Sequence, residues 1–305
     1  MSSTNETADV PLCSIIVPTH ARPGQLAECL AALSRLDYPK ERLEVIVVDD
    51  GGGVPLAPVL ERFRRVLDLT VLEQEQAGPA DARNAGAERA RGEVLAFTDD
   101  DCQPAREWLQ RLVARLATHP DSAAGGHTIN VLRDNSYART SQLIIDVGYA
   151  QNNRDPDEAR FFTTNNLVVP AAGFRSLGGF KAGWVTSEDR DFCDRWIARG
   201  FTLAYEPAAI VYHAHGLTFR SFCRQHFAYG RGAYRFHRAH ARRWKRRIAI
   251  EPSFYLTLLL YPFKNARGRD TVQLAVLLQL WNLVNTAGFI WEWLSTSMGR
   301  PHALR

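Results

Sequence analysis

Two short apolar runs, 13–17 and 94–97, and a β-rich run at 43–48 each break abruptly into polar residues, and helix-like stretches lie between them. The first run stops at Pro18. Leu26, Cys29, Leu30 and Leu33 follow at i, i+3, i+4 and i+7, which makes one helical face. The β-rich run ends at Asp49-Asp50 and precedes a helix with Leu56, Val59, Leu60 and Phe63 on one side. A third strand is expected at 69–72, a small-residue helix at 80–91, and a fourth strand at 94–97 that ends in Thr98-Asp99-Asp100-Asp101. Strands alternating with helices at this spacing predict an α/β fold with a parallel sheet of βαβ units. In open sheets of that kind, ligands bind beyond the carboxyl ends of the strands. Pro18-Thr19-His20, Asp49-Asp50 and the aspartate triplet are therefore expected to converge on one crevice.

The 305 residues allow one large domain or two small ones. A chain of this size buries roughly 75% of its unfolded surface and needs no disulfides. Cys13, Cys29, Cys102, Cys193 and Cys223 are odd in number and form no C-x-x-C pair. They read as free thiols in a reducing compartment and exclude a disulfide scaffold. Residues 1–10 have no basic-then-apolar signal layout, so a cytoplasmic protein is expected, with 1–12 as a disordered tail. The net charge of +4 conceals an asymmetry, because 220–247 holds ten Lys/Arg and no Asp/Glu. An acidic body with one basic stretch points to an anionic partner.

Further along, a helix is expected at 104–116, and the stretch up to Pro170 takes no clear assignment. A helix at 187–199 is expected to start at Ser187 as N-cap and to end at Gly200. Two short strands are expected at 201–205 and 209–213. The apolar run at 254–263 is too short for a bilayer, which takes ~20 residues. The one at 272–294 is long enough but contains Gln273, Gln279, Asn282, Asn285, Thr286 and Glu292. A docked or interfacial helix pair is expected there in preference to a span. The reading thus divides the chain into a tail at 1–12, a domain at 13–217 and a basic, apolar helical extension at 218–305.

A carboxylate triplet at a buried strand end is unfavourable unless positive charge sits beside it. A divalent cation with an anionic ligand satisfies that need; a solvated acidic turn is the other reading. An EF-hand is excluded, since counting from Asp99 the sixth residue is Pro104 and the twelfth is Gln110. Asp49-Asp50-Gly51-Gly52-Gly53 is not a dinucleotide fingerprint, because Leu56 stands where the third glycine is required. No Walker A sequence occurs. The glycines are expected to form a sharp turn that exposes Asp50 to a base N–H, or simply an Asp-Gly turn. Glu188-Asp189 offers a general base or ordinary N-terminal helix carboxylates. His213 either completes a metal shell or is structural.

Taken in order, several segments resemble glycosyltransferase family 2, nucleotide-sugar-dependent enzymes with a GT-A fold. They are Ser14-Ile15-Ile16-Val17-Pro18-Thr19, Val47-Val48-Asp49-Asp50-Gly51, Ala82-Arg83-Asn84-Ala85-Gly86, and Gly92 through Asp101. Gly178-Gly179-Phe180, and Glu188-Asp189 with Asp191 and Arg195, complete the set. The resemblance implies a mostly parallel Rossmann-like sheet flanked by helices. It places Pro18, Thr19 and His20 along the base and ribose, Asp50 on the base, and Arg22 and Arg83 on the donor. Asp99 and Asp101 would form the D-x-D motif, with Asp101 as metal ligand, Asp99 shared between metal and donor, and Asp100 counted with the donor residues. His213 matches a position where some members add a metal ligand. Asp189 matches the catalytic base, with Glu188 beside it. The implied cofactor is Mn²⁺ or Mg²⁺, and the implied chemistry is inverting transfer to an acceptor hydroxyl of a glycan or lipid-linked saccharide.

The basic stretch interleaves with aromatic residues and reads as a membrane-surface face, as a contact for an anionic lipid-linked acceptor, or as a solvated helix. Nucleic acid is discounted because no binding motif accompanies the stretch. The location expected is the cytoplasm or the inner face of the cell membrane. Transfer to a polyprenyl phosphate, nucleotide-sugar binding without turnover, and nucleotidyl transfer are the rival functions.

Overall fold

The computed structural model describes residues 10–119, 121–248, 252–265 and 268–298. Its first half is the expected βαβ series: β1 (Cys13–Thr19), α1 (Pro23–Leu33), β2 (Leu43–Asp49), α2 (Ala57–Phe63), β3 (Asp68–Glu73), α3 (Pro79–Arg89) and β4 (Val94–Phe97). All seven residues of β1 are buried. A strand covered on both faces has no reason to alternate polar with apolar, so its sequence is one apolar run. Parallel pairing sets Thr19 level with Asp49, and Asp49 level with Glu73. The carboxyl ends of the first strands therefore open at one height, which is what brings their polar residues together.

The second half departs from simple alternation. It runs β5 (Cys102–Pro104), α4 (Trp108–Thr118), β6 (Ser122–Asn130), α5 (Ser136–Asn152), β7 (Leu167–Pro170), α6 (Ala171–Leu177), α7 (Glu188–Ala198) and β8 (Thr202–His213). The eight strands lie in the order β3-β2-β1-β4-β7-β6-β8-β5. β7 is antiparallel to both β4 and β6, and β5 is antiparallel to β8. The helix expected from residue 104 starts at Trp108 because residues 102–104 pair with β8 instead. The two strands expected at 201–205 and 209–213 form one strand, β8, with a register shift opposite Gly126 and His127. That irregularity accounts for the break in its pattern. Of the expected tail, 1–9 lie outside the described residues. Pro11 and Leu12 are not loose: the Leu12 carbonyl accepts from the Glu93 and Val94 amides, and the Pro11 carbonyl accepts from the Tyr38 hydroxyl.

Three long helices follow among the described residues: α8 (Phe219–Arg243), α9 (Pro252–Asn265) and α10 (Arg269–Ser297). α8 opens on a capping box between Thr218 and Ser221. α10 crosses α8 closely enough that a Cβ on Gly288 would lie 2.0 Å from the Phe227 carbonyl. Glu292, wholly buried, pairs with Arg231 at 2.8 Å and Arg235 at 2.6 Å. Arg243 pairs with Asp191 at 2.7 Å and also with Asp194. Part of the basic stretch thus anchors α8 to α7 and α10.

Candidate active site

Asp101 lies in the short turn between β4 and β5, directly before Cys102. The antiparallel pairing of β5 with β8 sets Cys102 opposite His213, which brings that histidine to the aspartate. His213 Nε2 lies 3.3 Å from one Asp101 oxygen, and His215 Nδ1 lies 3.2 Å from the other. The two imidazoles stack with centroids 5.3 Å apart. Arg22 closes the group, with Nη1 3.2 Å from Asp101. Burial raises the Asp101 carboxyl, but the two histidines and Arg22 outweigh it and hold the group below its ordinary range.

Asp99 and Glu188 share one cation. Arg83, only 4% exposed on α3, donates to Asp99 at 2.6 Å and to Glu188 at 2.9 Å. This joins the end of β4 to the start of α7. Burial pushes the Glu188 carboxyl up to about 8, helped by the neighbouring Asp189 charge and opposed by Arg83. Asp189 is also raised by burial, against the Arg190 and Arg83 charges. One Asp189 oxygen accepts from the Arg190 amide at 2.7 Å; the other takes no hydrogen bond from the described residues. Unlike Asp99 and Glu188, which Arg83 holds, Asp189 has no ion pair among the described residues. Ser187 occupies the N-cap position of α7 as expected, yet its side chain makes no cap bond, and its φ of 64° is left-handed.

Several expected donor residues lie beneath the crevice. Pro18 is buried inside β1 opposite Val48. Thr19 and Asp100 are buried together, the hydroxyl donating to the carboxylate at 2.7 Å, and Arg22 pairs with Asp100 at 2.6 Å. Burial pushes Asp100 up to about 6 despite Arg22. Its side chain holds the loop from inside, so the middle aspartate has no surface to offer a ligand. Asp50 is likewise not exposed by its glycines. It is 6% exposed and accepts from Gln74 at 2.7 Å, the Ala77 amide at 2.8 Å and the Gly78 amide at 2.9 Å. Crowding requires two of the glycines: a Cβ on Gly52 would lie 2.3 Å from the Ala21 nitrogen, and one on Gly51 2.8 Å from the Gln76 nitrogen. His20 remains exposed at the rim, its Nδ1 2.9 Å from the Asp50 carbonyl.

Three residues that sequence reasoning did not place also enter the site. Cys102 supplies a third ligand-type atom within 4.8 Å of those of Asp101 and His213. Gln225 and Tyr229 of α8 reach it through His215. Cys102 was signalled by its place directly after Asp101, and Gln225 and Tyr229 only through the closeness of His215 to His213 in sequence.

The profile of glycosyl transferase family 2 matches residues 14–182, more than half of the chain. The chain belongs to this family. Glycosyltransferase AglE of Haloferax volcanii is 28% identical over 229 residues, 74% of each chain. Among solved structures, the mannosyltransferase PcManGT of Pyrobaculum calidifontis, in complex with GDP-Man and Mn²⁺, superposes with a TM-score of 0.69 at 19% identity, covering 95% of this chain and 88% of that one. TarS of S. aureus, in complex with UDP-GlcNAc, gives 0.61 at 17% identity and covers 95% and 93%. The fold is GT-A, and the family member is a glycosyltransferase. The two neighbours hold different nucleotide sugars.

Proposed function

We propose that this glycosyltransferase moves a sugar from a nucleoside-diphosphate donor to an acceptor hydroxyl with inversion, assisted by a divalent cation. The observation that carries the reading is the Arg83 bridge, which fixes the D-x-D end of β4 beside the carboxylate pair of α7. Asp101, Asp99 and His213 are the residues that would hold Mn²⁺ or Mg²⁺. The donor set suits such an ion: Asp101 is held ionised, and carboxylate with imidazole favours a hard or borderline divalent metal. Cys102 adds a softer thiol beside the same position. When bound, the cation supplies positive charge against the leaving diphosphate. Arg22 lies on the same side of the site as further positive charge. Asp189 accepts the proton of the attacking hydroxyl, a role typically worth ~10²–10⁴ in rate. Its raised pKa makes it a stronger base than an ordinary aspartate. Glu188, held by Arg83, orients the start of α7. A polyprenyl phosphate acceptor would already be ionised and need no such base, so Asp189 favours the hydroxyl. The test is a thermal-shift panel of UDP, GDP, UDP-GlcNAc and GDP-Man with Mn²⁺, Mg²⁺ or chelator. Metal-dependent stabilisation is expected for one base; no stabilisation by any of them would remove the donor reading.

The acceptor is reached at an anionic membrane surface. Val272, Val276, Leu283, Ile290 and Leu294 form one exposed stripe along α10, with Leu283 71% exposed. Leu256, Leu259, Leu260 and Phe263 form another on α9. At the end of α8, exposed Arg242, Lys245, Arg246 and Arg247 complement anionic headgroups. Residues Asp270–Ser297 are long and apolar enough to span, but the Gly288 contact and the buried Glu292 pairs bind the opposite face to α8. The helix therefore lies in the interface. Flotation with phosphatidylglycerol vesicles should recover the protein, and Leu283→Glu with Ile290→Glu should release it. Equal recovery of both proteins would refute this surface.

A further inference from the structure

About two turns of α8, Gln225 to Gly232, touch both sides of the site. On the cation side, His215 Nε2 lies 2.8 Å from Gln225 Oε1, and Gln225 Nε2 donates to the Tyr229 hydroxyl at 3.0 Å. On the base side, the Thr186 hydroxyl donates to the Ala228 carbonyl at 2.9 Å. Gly232 lets the helix approach so closely that a Cβ there would lie 2.2 Å from Thr186 Oγ1. Tyr229 projects from this stretch. Its ring packs edge-on against His226, with centroids 5.5 Å apart, while 40% of the residue remains exposed. The hydroxyl oxygen accepts from Gln225, and its own proton has no acceptor among the described residues. A phenolic hydroxyl, with an ordinary pKa of about 10, keeps its proton at neutral pH, and the charges of Asp189, Glu188 and Asp99 favour that state further. Among these carboxylates, all acceptors when ionised, stands one neutral, oriented donor.

We propose that the Tyr229 hydroxyl donates a hydrogen bond to a hydroxyl of the donor sugar, and that Gln225 sets its direction. This rests on the nucleotide-sugar reading above. The sugar lies beyond the diphosphate, between the Asp99–Asp101 end and Asp189. Tyr229 feels Asp99 and Asp189 together and is linked through Gln225 and His215 to Asp101. Tyr229 thus touches substrate, and Gln225 is a positioning residue acting through it.

The test is calorimetric binding of a nucleotide sugar and its nucleoside diphosphate, using UDP-GlcNAc with UDP and GDP-Man with GDP, in Mn²⁺. For the pair that binds wild type, Tyr229→Phe is expected to weaken the nucleotide sugar by about five- to tenfold, as for one lost hydrogen bond. The diphosphate should bind as before. Gln225→Ala should cause a smaller selective loss, and Gln225→Glu, which retains an acceptor for His215 but not the amide donor to Tyr229, should not restore it. A sugar-to-diphosphate affinity ratio in Tyr229→Phe equal to that of wild type would overturn the proposal and leave the transferase reading standing. Parallel weakening of both ligands would overturn it too, by marking a structural role. Failure of wild type to bind either pair would overturn both readings.

Discussion

Arg83 and Glu188 lie 105 residues apart in sequence and 2.9 Å apart in space, both nearly buried. The contact makes the position of α7 depend on α3, and through Asp99 on the end of β4. A guanidinium suits this work because its fork serves two carboxylates at once.

Removing that cation should therefore destabilise the fold before any chemistry is considered. Arg83→Met leaves Glu188 and Asp99 without the guanidinium that bridges them, a change that costs about 1–3 kcal/mol for buried partners left unsatisfied. Thermal melts of the variant should shift down by several degrees, and Arg83→Lys should recover part of the loss. An unchanged melting temperature for Arg83→Met would show that the bridge contributes nothing.

Asp189 and Glu188 separate by function. Asp189→Asn keeps the shape and loses the proton acceptor, so transfer should fall by ~10² or more while donor affinity holds. Glu188→Gln keeps one hydrogen bond to Arg83 and should reduce transfer less. Initial rates beside donor affinity decide it; a larger defect in Glu188→Gln would move the base by one residue.

The pH profile follows from the raised Asp189 carboxyl. Below its pKa the group is protonated and cannot accept the hydroxyl proton, so rate is lost as pH falls. Because burial raises that pKa, the loss should begin above the ordinary aspartate value of about 3.9. Arg83 opposes the shift, so Arg83→Lys should leave the acid limb of kcat in place and Arg83→Met should move it to higher pH. An acid limb near pH 4 in wild type would contradict the assignment.

The parts legible in sequence share a physical cause. β1, β2 and β4 are covered on both faces, so each is largely apolar, broken inside only by Ser14 and Glu44, which bond each other, and its polar end marks the crevice. β5 is three residues, Cys-Gln-Pro, and carries too little pattern to register. β6 opens Ser-Ala-Ala-Gly-Gly because the Phe162 ring fills the space a side chain at Gly125 would need. Asp99, Asp101 and Glu188-Asp189 could be read from local motifs. The burial of Asp50 and Asp100 could not, since it depends on the loop after β3 and on Arg22. Gln225 and Tyr229 come from a helix whose composition spoke only of charge and aromaticity. Their place in the site is a tertiary contact.

That contact depends in turn on α10. A methyl on Gly288 would lie 2.0 Å from the backbone oxygen of Phe227, between Gln225 and Tyr229 on α8, and a backbone carbonyl cannot rotate aside. Gly288→Ala should therefore force the two helices apart and cost about 1–3 kcal/mol, as overpacking does. Separation would also shift the turn that carries Gln225 and Tyr229, so transfer should fall together with the melting temperature. Gly24→Ala is the matched control: it is also helical, but a Cβ there meets nothing within 4 Å. Alanine's higher helix propensity should leave that protein as stable as wild type or slightly more so. Melting curves and transfer rates for both variants test the argument. A Gly288→Ala protein that melts and turns over like Gly24→Ala would mean that α10 does not set the position of α8.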